Sequence, residues 1–263
     1  LHLLYTDETN LEERKGDFFV YAGLVVDGAR AKTLAHDVES VRLAAKVDRS
    51  FKLKFNPGPE NLSHQEFLAL KQSIIDLSVA HSCHLLAYVV LHDVATDPNT
   101  ARLNGINTIC AHFDWLLNRK KDAGLVLIDR FSDPNVDAHV VEKMAVGLKG
   151  MPFSSEMKLD NIVGVHYSAV GQSHFSSVLD IVIGSLRFSI NAFTRNETNN
   201  LPTAKKLLGL IKPLFFREEG KGAVAEIGFC YRPKEIRIEN YKSKYQALKA
   251  FLVENGIETA QAV

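Results

Sequence analysis

Apolar positions along the chain follow two periods, and their order predicts strands and helices in alternation. Leu1–Tyr5 is an apolar run that closes on Thr6-Asp7-Glu8. After a polar loop from Thr9 to Gly16, Phe18–Val26 has the aromatic and β-branched content of a strand. From Ala31 to Lys46 the apolar residues Leu34, Val38, Val41 and Ala45 recur every three or four positions, which is a helical stripe. Phe51-Lys52-Leu53-Lys54-Phe55 alternates strictly, so it predicts a half-buried strand stopped by Asn56-Pro57-Gly58-Pro59. Ser63 with Glu66 three residues on is a capping box, opening a helix that runs to about Ala80 with Phe67, Leu70, Ile74 and Leu77 on one face. A strand over Leu85–Leu91, a helix over Arg102–Arg119 and a strand over Leu125–Ile128 ending in Asp129 come next. A helix near Val136–Leu148, a short strand over Ile162–His166 and a helix over Phe175–Phe193 complete this part.

Strands grouped early, then alternation of helix and strand, indicate an α/β fold with a mixed sheet flanked by helices. The polar stretch Asn196–Asn200 marks a break, which divides the chain into residues 1–195 and a tail, 196–263. The tail predicts a basic, mainly helical C-terminal appendage, with a hairpin near Ala223–Tyr231 and a helix near Tyr241–Val253. Residues 201–263 hold eleven basic and seven acidic side chains, a net +4, whereas residues 1–200 hold twenty basic and 24 acidic ones, a net −4. Over all 263 residues the charge is zero, which excludes a protein that coats nucleic acid by charge alone and leaves a local basic surface open.

Charged residues are 24% and hydrophobic ones 46%, an ordinary globular balance. No apolar run approaches the ~20 residues of a membrane span. The opening Leu1-His2-Leu3-Leu4 lacks the basic flank of a signal peptide. Cys83, Cys110 and Cys230 are odd in number and far apart, so neither a disulfide framework nor a zinc knuckle is expected. The expectation is a cytoplasmic protein with no membrane partner.

Three acids stand out. Asp7 and Asp129 each close an apolar strand, and Asp180 interrupts the apolar helical run Val178–Ile183. A buried lone carboxylate costs several kcal/mol unless it is compensated. Adjacent strands lie ~4.8 Å apart, so acids at two strand ends can share one divalent cation. A third acid from a helix packed over them would complete a site for two-metal phosphoryl transfer. Plainer roles fit the same stretches of chain. Asp133-Pro134 fits turn and N-cap chemistry, and Asp180 fits a solvated stripe or a pair with Arg187.

Leu3-Leu4-Tyr5-Thr6-Asp7-Glu8-Thr9, followed by Phe19-Val20-Tyr21-Ala22-Gly23-Leu24-Val25-Val26, resembles a large prokaryotic family of uncharacterised ribonuclease-H-like proteins. That family opens with a strand ending Asp-Glu-Ser and a Phe-Val-Leu-Ala-Gly-like strand. Phe51-Lys52-Leu53-Lys54 is similar to its Glu-x-Lys strand, Leu127-Ile128-Asp129 to its strand with a terminal Asp, and Ser177–Gly184 to its Gln-Leu-Ala-Asp helix. The resemblance covers roughly residues 1–193. It implies a ribonuclease-H-like mixed sheet, with acids from the first strand, a middle strand and a late helix around Mg²⁺ or Mn²⁺. Lys52, Ser177 and Thr9 depart from the family's Glu, Gln and Ser, so the resemblance leaves a fourth ligand to Glu66 or Glu60.

Glu8 is a further candidate at the metals, directly if the strand has ended there or from behind Asp7 if it has not. Lys54 matches the family's Lys and is a candidate for holding substrate phosphate, with a solvated edge-strand lysine as the plain alternative. His166, closing a strand before the Asp180 helix, is a second candidate toward substrate because histidine titrates near neutral pH. His174 has weaker grounds, and His81-Ser82-Cys83-His84 lacks further ligands nearby. Neither a Gly-x-Ser-x-Gly elbow nor a P-loop is present. In the tail, basic residues from Lys205 to Lys244 interleave with Phe215, Phe216, Tyr231, Tyr241 and Tyr245, the composition of a nucleic-acid surface or of helix faces over an aromatic core.

These features point to a metal-dependent nuclease acting on RNA or DNA, with Asp7, Asp129, Asp180 and Glu8 in the reaction and the three aspartates as metal ligands. The alternative is an inactive module of the same fold that binds nucleic acid or a protein partner. A further protein partner or a homo-oligomer fits either.

Overall fold

The structure, a computed structural model, describes residues 1–12, 14–48, 50–130, 134–149 and 156–263. Asp133, the expected turn residue, lies outside them. The chain order is β1 (His2–Thr9), β2 (Phe18–Asp27), α1 (Gly28–Ala44), α2 (His64–Ala80), β3 (His84–Leu91), α3 (Pro98–Lys120), β4 (Gly124–Asp129) and α4 (Pro134–Val146). It continues through β5 (Leu148–Lys149), β6 (Glu156–Met157), β7 (Ile162–Ser168), α5 (His174–Thr194), α6 (Leu201–Ile211), β8 (Phe229–Arg232) and α7 (Glu239–Glu254). Six of the strands form one mixed sheet in the order β7-β4-β1-β2-β3-β8, and β5 and β6 form a separate antiparallel pair.

Within the six-stranded sheet β2 alone runs against the others. It is antiparallel to β1 and β3, while β1–β4, β4–β7 and β3–β8 are parallel. The carboxyl ends of five strands therefore lie along one edge, the usual place for ligands in an open α/β sheet. Helices cover both faces. Leu24, Val26, Leu85 and Val89 face a core closed by α1, α2, α5, α6 and α7, and Phe19, Tyr21, Leu86 and Val126 face α3 and α4.

The capping box at Ser63 forms as the sequence predicts: Ser63 Oγ accepts from the Glu66 N–H, and the Glu66 carboxylate accepts from the Ser63 N–H. The strand expected over Phe51–Phe55 does not form, and these residues are an irregular segment. Its alternation is real, since Leu53 and Phe55 are buried and Lys52 is exposed. What it lacks is a neighbouring strand. Its backbone is satisfied by side chains instead: Arg42 Nη2 donates to Phe51 O at 2.9 Å, Lys71 Nζ donates to Phe55 O at 3.3 Å, and Phe55 N donates to Asp180.

The tail also departs from expectation. No hairpin forms near Ala223–Tyr231; a single strand, β8, adds to the sheet edge parallel to β3. Leu208, Ile211, Phe229, Tyr231, Tyr245 and Phe251 share the core with β1, β2 and α5, so residues 201–263 pack into the same body as residues 1–195. Among the described residues one helix, α5, is long and apolar enough to cross a membrane, but 72% of that stretch is buried inside the protein.

Candidate functional site

Alternation along β1 separates two neighbouring acids. Tyr5 and Asp7 face α5, while Thr6 and Glu8 face α3. On β4 the same alternation puts Leu127 and Asp129 on the α5 side, and Ile128 on the other. Thr6 is in register with Ile128, so Asp7 and Asp129 follow as the next positions on adjacent parallel strands. Asp180, in the second turn of α5, comes down on the same side. The sheet and one helix thus bring together three acids that are far apart in sequence.

Burial acts on all three, and their charges act on one another. Burial raises the Asp7 pKa from 3.8 to about 8, and the charges of Glu8, Asp129 and Asp180 push in the same direction. Burial likewise raises Asp129 and Asp180; Asp180 adds to the rise at Asp129, and the Lys54 ammonium opposes it at both. Each carboxylate keeps one backbone N–H: Glu8 N on Asp7 Oδ1 at 2.8 Å, Arg130 N on Asp129, and Phe55 N on Asp180 Oδ2 at 2.6 Å. Asp7 and Asp129 line a small recess with Ser168, Ser176 and Leu179, with about 10 Å³ of free space, room for roughly one water-sized body.

The donor set is oxygen-only, which suits Mg²⁺ or Mn²⁺. As the side chains lie, however, no three of the described His, Cys, Asp and Glu residues gather tightly enough to hold a metal ion. The carboxylates converge without closing.

Glu8 sits on the far side of the strand, as alternation within a continuing strand requires. Its Oε1 lies 3.4 Å from Arg102 Nε, and its Oε2 is buried with no hydrogen-bond partner among the described residues. Burial raises its pKa against the pull of Arg102. It flanks Asp7 from behind. Lys54 stands on the acids' side, near Asp129 and Asp180. His166 does not join them. It is exposed, in register with Leu127, and its Nε2 leans back toward Gly164, away from the strand end.

Neither expected substitute for the fourth ligand reaches the site. The Glu66 carboxylate is spent on the α2 cap, and Glu60 is exposed on the loop before it. His174 pairs with Glu39 at 3.6 Å, and His81 with Asp37 at 2.8 Å. The tail aromatics offer little for stacking on bases: Phe215, Phe216, Tyr231 and Tyr245 are core residues, and Tyr241 is half-buried.

Sequence patterns gave no sign of Phe55, which holds Asp180 in place. Its N–H binds Asp180, its carbonyl takes the Lys71 ammonium, and its ring lies under Lys71 Nζ at 4.2 Å. Gly184, one turn beyond Asp180, makes room for it; a Cβ there would sit 2.4 Å from the Phe55 Cβ and Cγ. Lys71 lies on the buried face of α2 beside Phe67 and Ile74, and burial lowers its pKa to about 8. A lysine on an apolar helix stripe was the available signal.

No family model matches the chain, and no curated protein matches it in sequence. What the site does has to come from its own chemistry.

Proposed function

We propose that this protein is a divalent-cation-dependent nuclease of ribonuclease-H-like fold, with Asp7, Asp129 and Asp180 as the ligands of the cation. The observation that carries the reading is the convergence of these three half-buried carboxylates, from two adjacent strand ends and one helix, on one side of the sheet. The strand order β3-β2-β1-β4-β7 with β2 alone reversed supports the fold, because it places the first and middle strands side by side with their carboxyl ends together. A cation held there supplies Lewis-acid activation of water and of the leaving oxygen.

The chain's own residues have definite parts. Asp7 and Asp129 present one oxygen each while a backbone N–H fixes the other, so their planes are set before any ligand arrives. Phe55 does the same for Asp180. Lys54 brings a positive charge to the entrance, where it favours a phosphodiester and lowers the mutual repulsion of the acids. Glu8, behind Asp7 and against Arg102, keeps negative charge at the site without facing it. His166 has no part in this arrangement and is left as an exposed strand residue.

A second reading, an inactive module that binds nucleic acid or a protein, is favoured by the open spacing of the acids and by Lys54 acting as a built-in counter-charge. Cleavage of labelled single- and double-stranded RNA and DNA with Mg²⁺ or Mn²⁺ separates the two. Activity that needs the metal and falls roughly a hundred- to a thousandfold, on the order of a lost electrostatic group, in both Asp7→Asn and Asp180→Asn fits the nuclease. Turnover retained by the double variant contradicts it.

A further inference from the structure

At the opposite end of the sheet from the acids, a second recess opens between the start of β1, the end of β2 and the start of β3. It has about 140 Å³ of free space and is lined by His2, Asp27, Arg30, Ser82, His84 and Lys120. That volume is close to the ~150 Å³ of a cavity able to take up a benzene-sized ligand. We propose that this recess is a binding site for a phosphate-class oxyanion, either inorganic phosphate or the head of a phosphate monoester.

The lining has the chemistry of an anion site. Every polar group in it except Asp27 is a cation, a hydroxyl or an imidazole. Asp27 is already used: its Oδ1 accepts from the Ala29 N–H as the N-cap of α1. Arg30 is held in place by Nη1 donating to Ser82 Oγ at 2.9 Å, which leaves the rest of its guanidinium fork for a ligand. His84 packs edge-on against Phe216, and among the described residues its ring nitrogens meet no hydrogen-bond partner. A half-buried imidazole with an apolar wall behind it and an open recess before it lacks only an acceptor.

Charge explains why the ligand should be an anion and why its binding should take up protons. Lys120 closes the recess from the end of α3, Arg30 from α1 and His2 from β1; Asp122, beyond α3, is tied to His2 Nδ1 at 2.9 Å. Burial, Lys120 and His2 lower the His84 pKa to about 4, and burial with Lys120 lowers that of His2. Without a ligand both rings are neutral at pH 7; Asp122 is paired with the Leu1 ammonium at 2.8 Å, so in the lining Arg30 and Lys120 outweigh Asp27. An oxyanion seated among them opposes the lowering and shifts both histidines back upward, which favours their charged, doubly donating form.

The test is a calorimetric titration of inorganic phosphate into the full chain with chelator present, at pH 5.5 and pH 8, beside histidine ring NMR. One saturable site is expected, with the His84 ring titrating at higher pH once phosphate is bound. His84→Ala and Lys120→Ala should each weaken binding roughly ten- to a hundredfold, while Asp180→Asn, at the other end of the sheet, binds as the parent does. Glycerol phosphate binding equally would identify a monoester head as the ligand, and its exclusion would identify the free ion. No saturable binding at pH 5.5, equal affinity in folded His84→Ala and Lys120→Ala, or a His84 titration that phosphate does not move would each overturn the proposal. Because no metal and none of the three acids enter this titration, its failure leaves the nuclease reading untouched.

Discussion

Replacing Asp7 with Asn removes an ionisable group and keeps an oxygen that can accept the Glu8 N–H, so the local geometry has no reason to change. In the unfolded chain an aspartate ionises near 3.9. In the folded protein burial and three neighbouring acids hold Asp7 protonated to about pH 8. Below pH 4 the two states carry the same proton, and wild type and variant should be equally stable. Between pH 4 and pH 8 the unfolded chain releases that proton and the folded one does not, so wild type loses stability as pH rises; above 8 the loss is complete. The nominal slope is about 1.4 kcal/mol per pH unit. Asp7 is half-buried, and solvent together with small movements of its neighbours reduces the total to about 2 kcal/mol. The Asn variant should therefore melt some 4–8 °C higher at pH 8 in chelator, a shift of roughly 2–4 °C per kcal/mol for a chain of this size. Thermal melts across pH 3.5 to 8.5 measure it. A variant no more stable than wild type at pH 8, or a gap that does not open with pH, would refute the claim that Asp7 is held in a crowded acidic site.

Two other substitutions separate site from scaffold. Glu66→Ala breaks the capping box of α2 and should cost about 1 kcal/mol in urea denaturation, with metal-dependent cleavage unchanged because its carboxylate lies away from the acids. Gly184→Ala places a Cβ against Phe55 and should cost about 1–3 kcal/mol; hydrogen exchange should also show the Phe55 amide losing protection as its bond to Asp180 is displaced.

Much of this arrangement was legible in the residues. Asp180 interrupts the apolar run Val178–Ile183, and Asp7 and Asp129 each end an apolar run, although a solvated stripe or a pair with Arg187 fitted Asp180 as well. The period of two left Glu8 either at the site, if the strand ended there, or behind Asp7, and the strand continues, so Glu8 lies on the other face with Arg102. Phe51–Phe55 misled because alternation reports which side chains are buried, not whether a neighbouring strand exists; here Arg42, Lys71 and Asp180 take the partner's place. The tail aromatics left two readings open for a similar reason. Interleaved bases and aromatics look alike on a stacking surface and on a helix over a core, and burial of Phe215, Phe216, Tyr231 and Tyr245 decides for the core. Phe229–Arg232 is too short to identify as a strand without the β3 edge it completes. Glu66 satisfied two descriptions at once, and only geometry shows that the cap uses its carboxylate.

The most direct measurement of the central claim is calorimetric titration of Mn²⁺ into the purified protein beside Asp129→Asn. If Asp7, Asp129 and Asp180 close on one cation, the parent binds saturably and the variant, still folded, does not. Equal binding by both proteins, or none by the parent, would mean that the acids meet without gripping a metal.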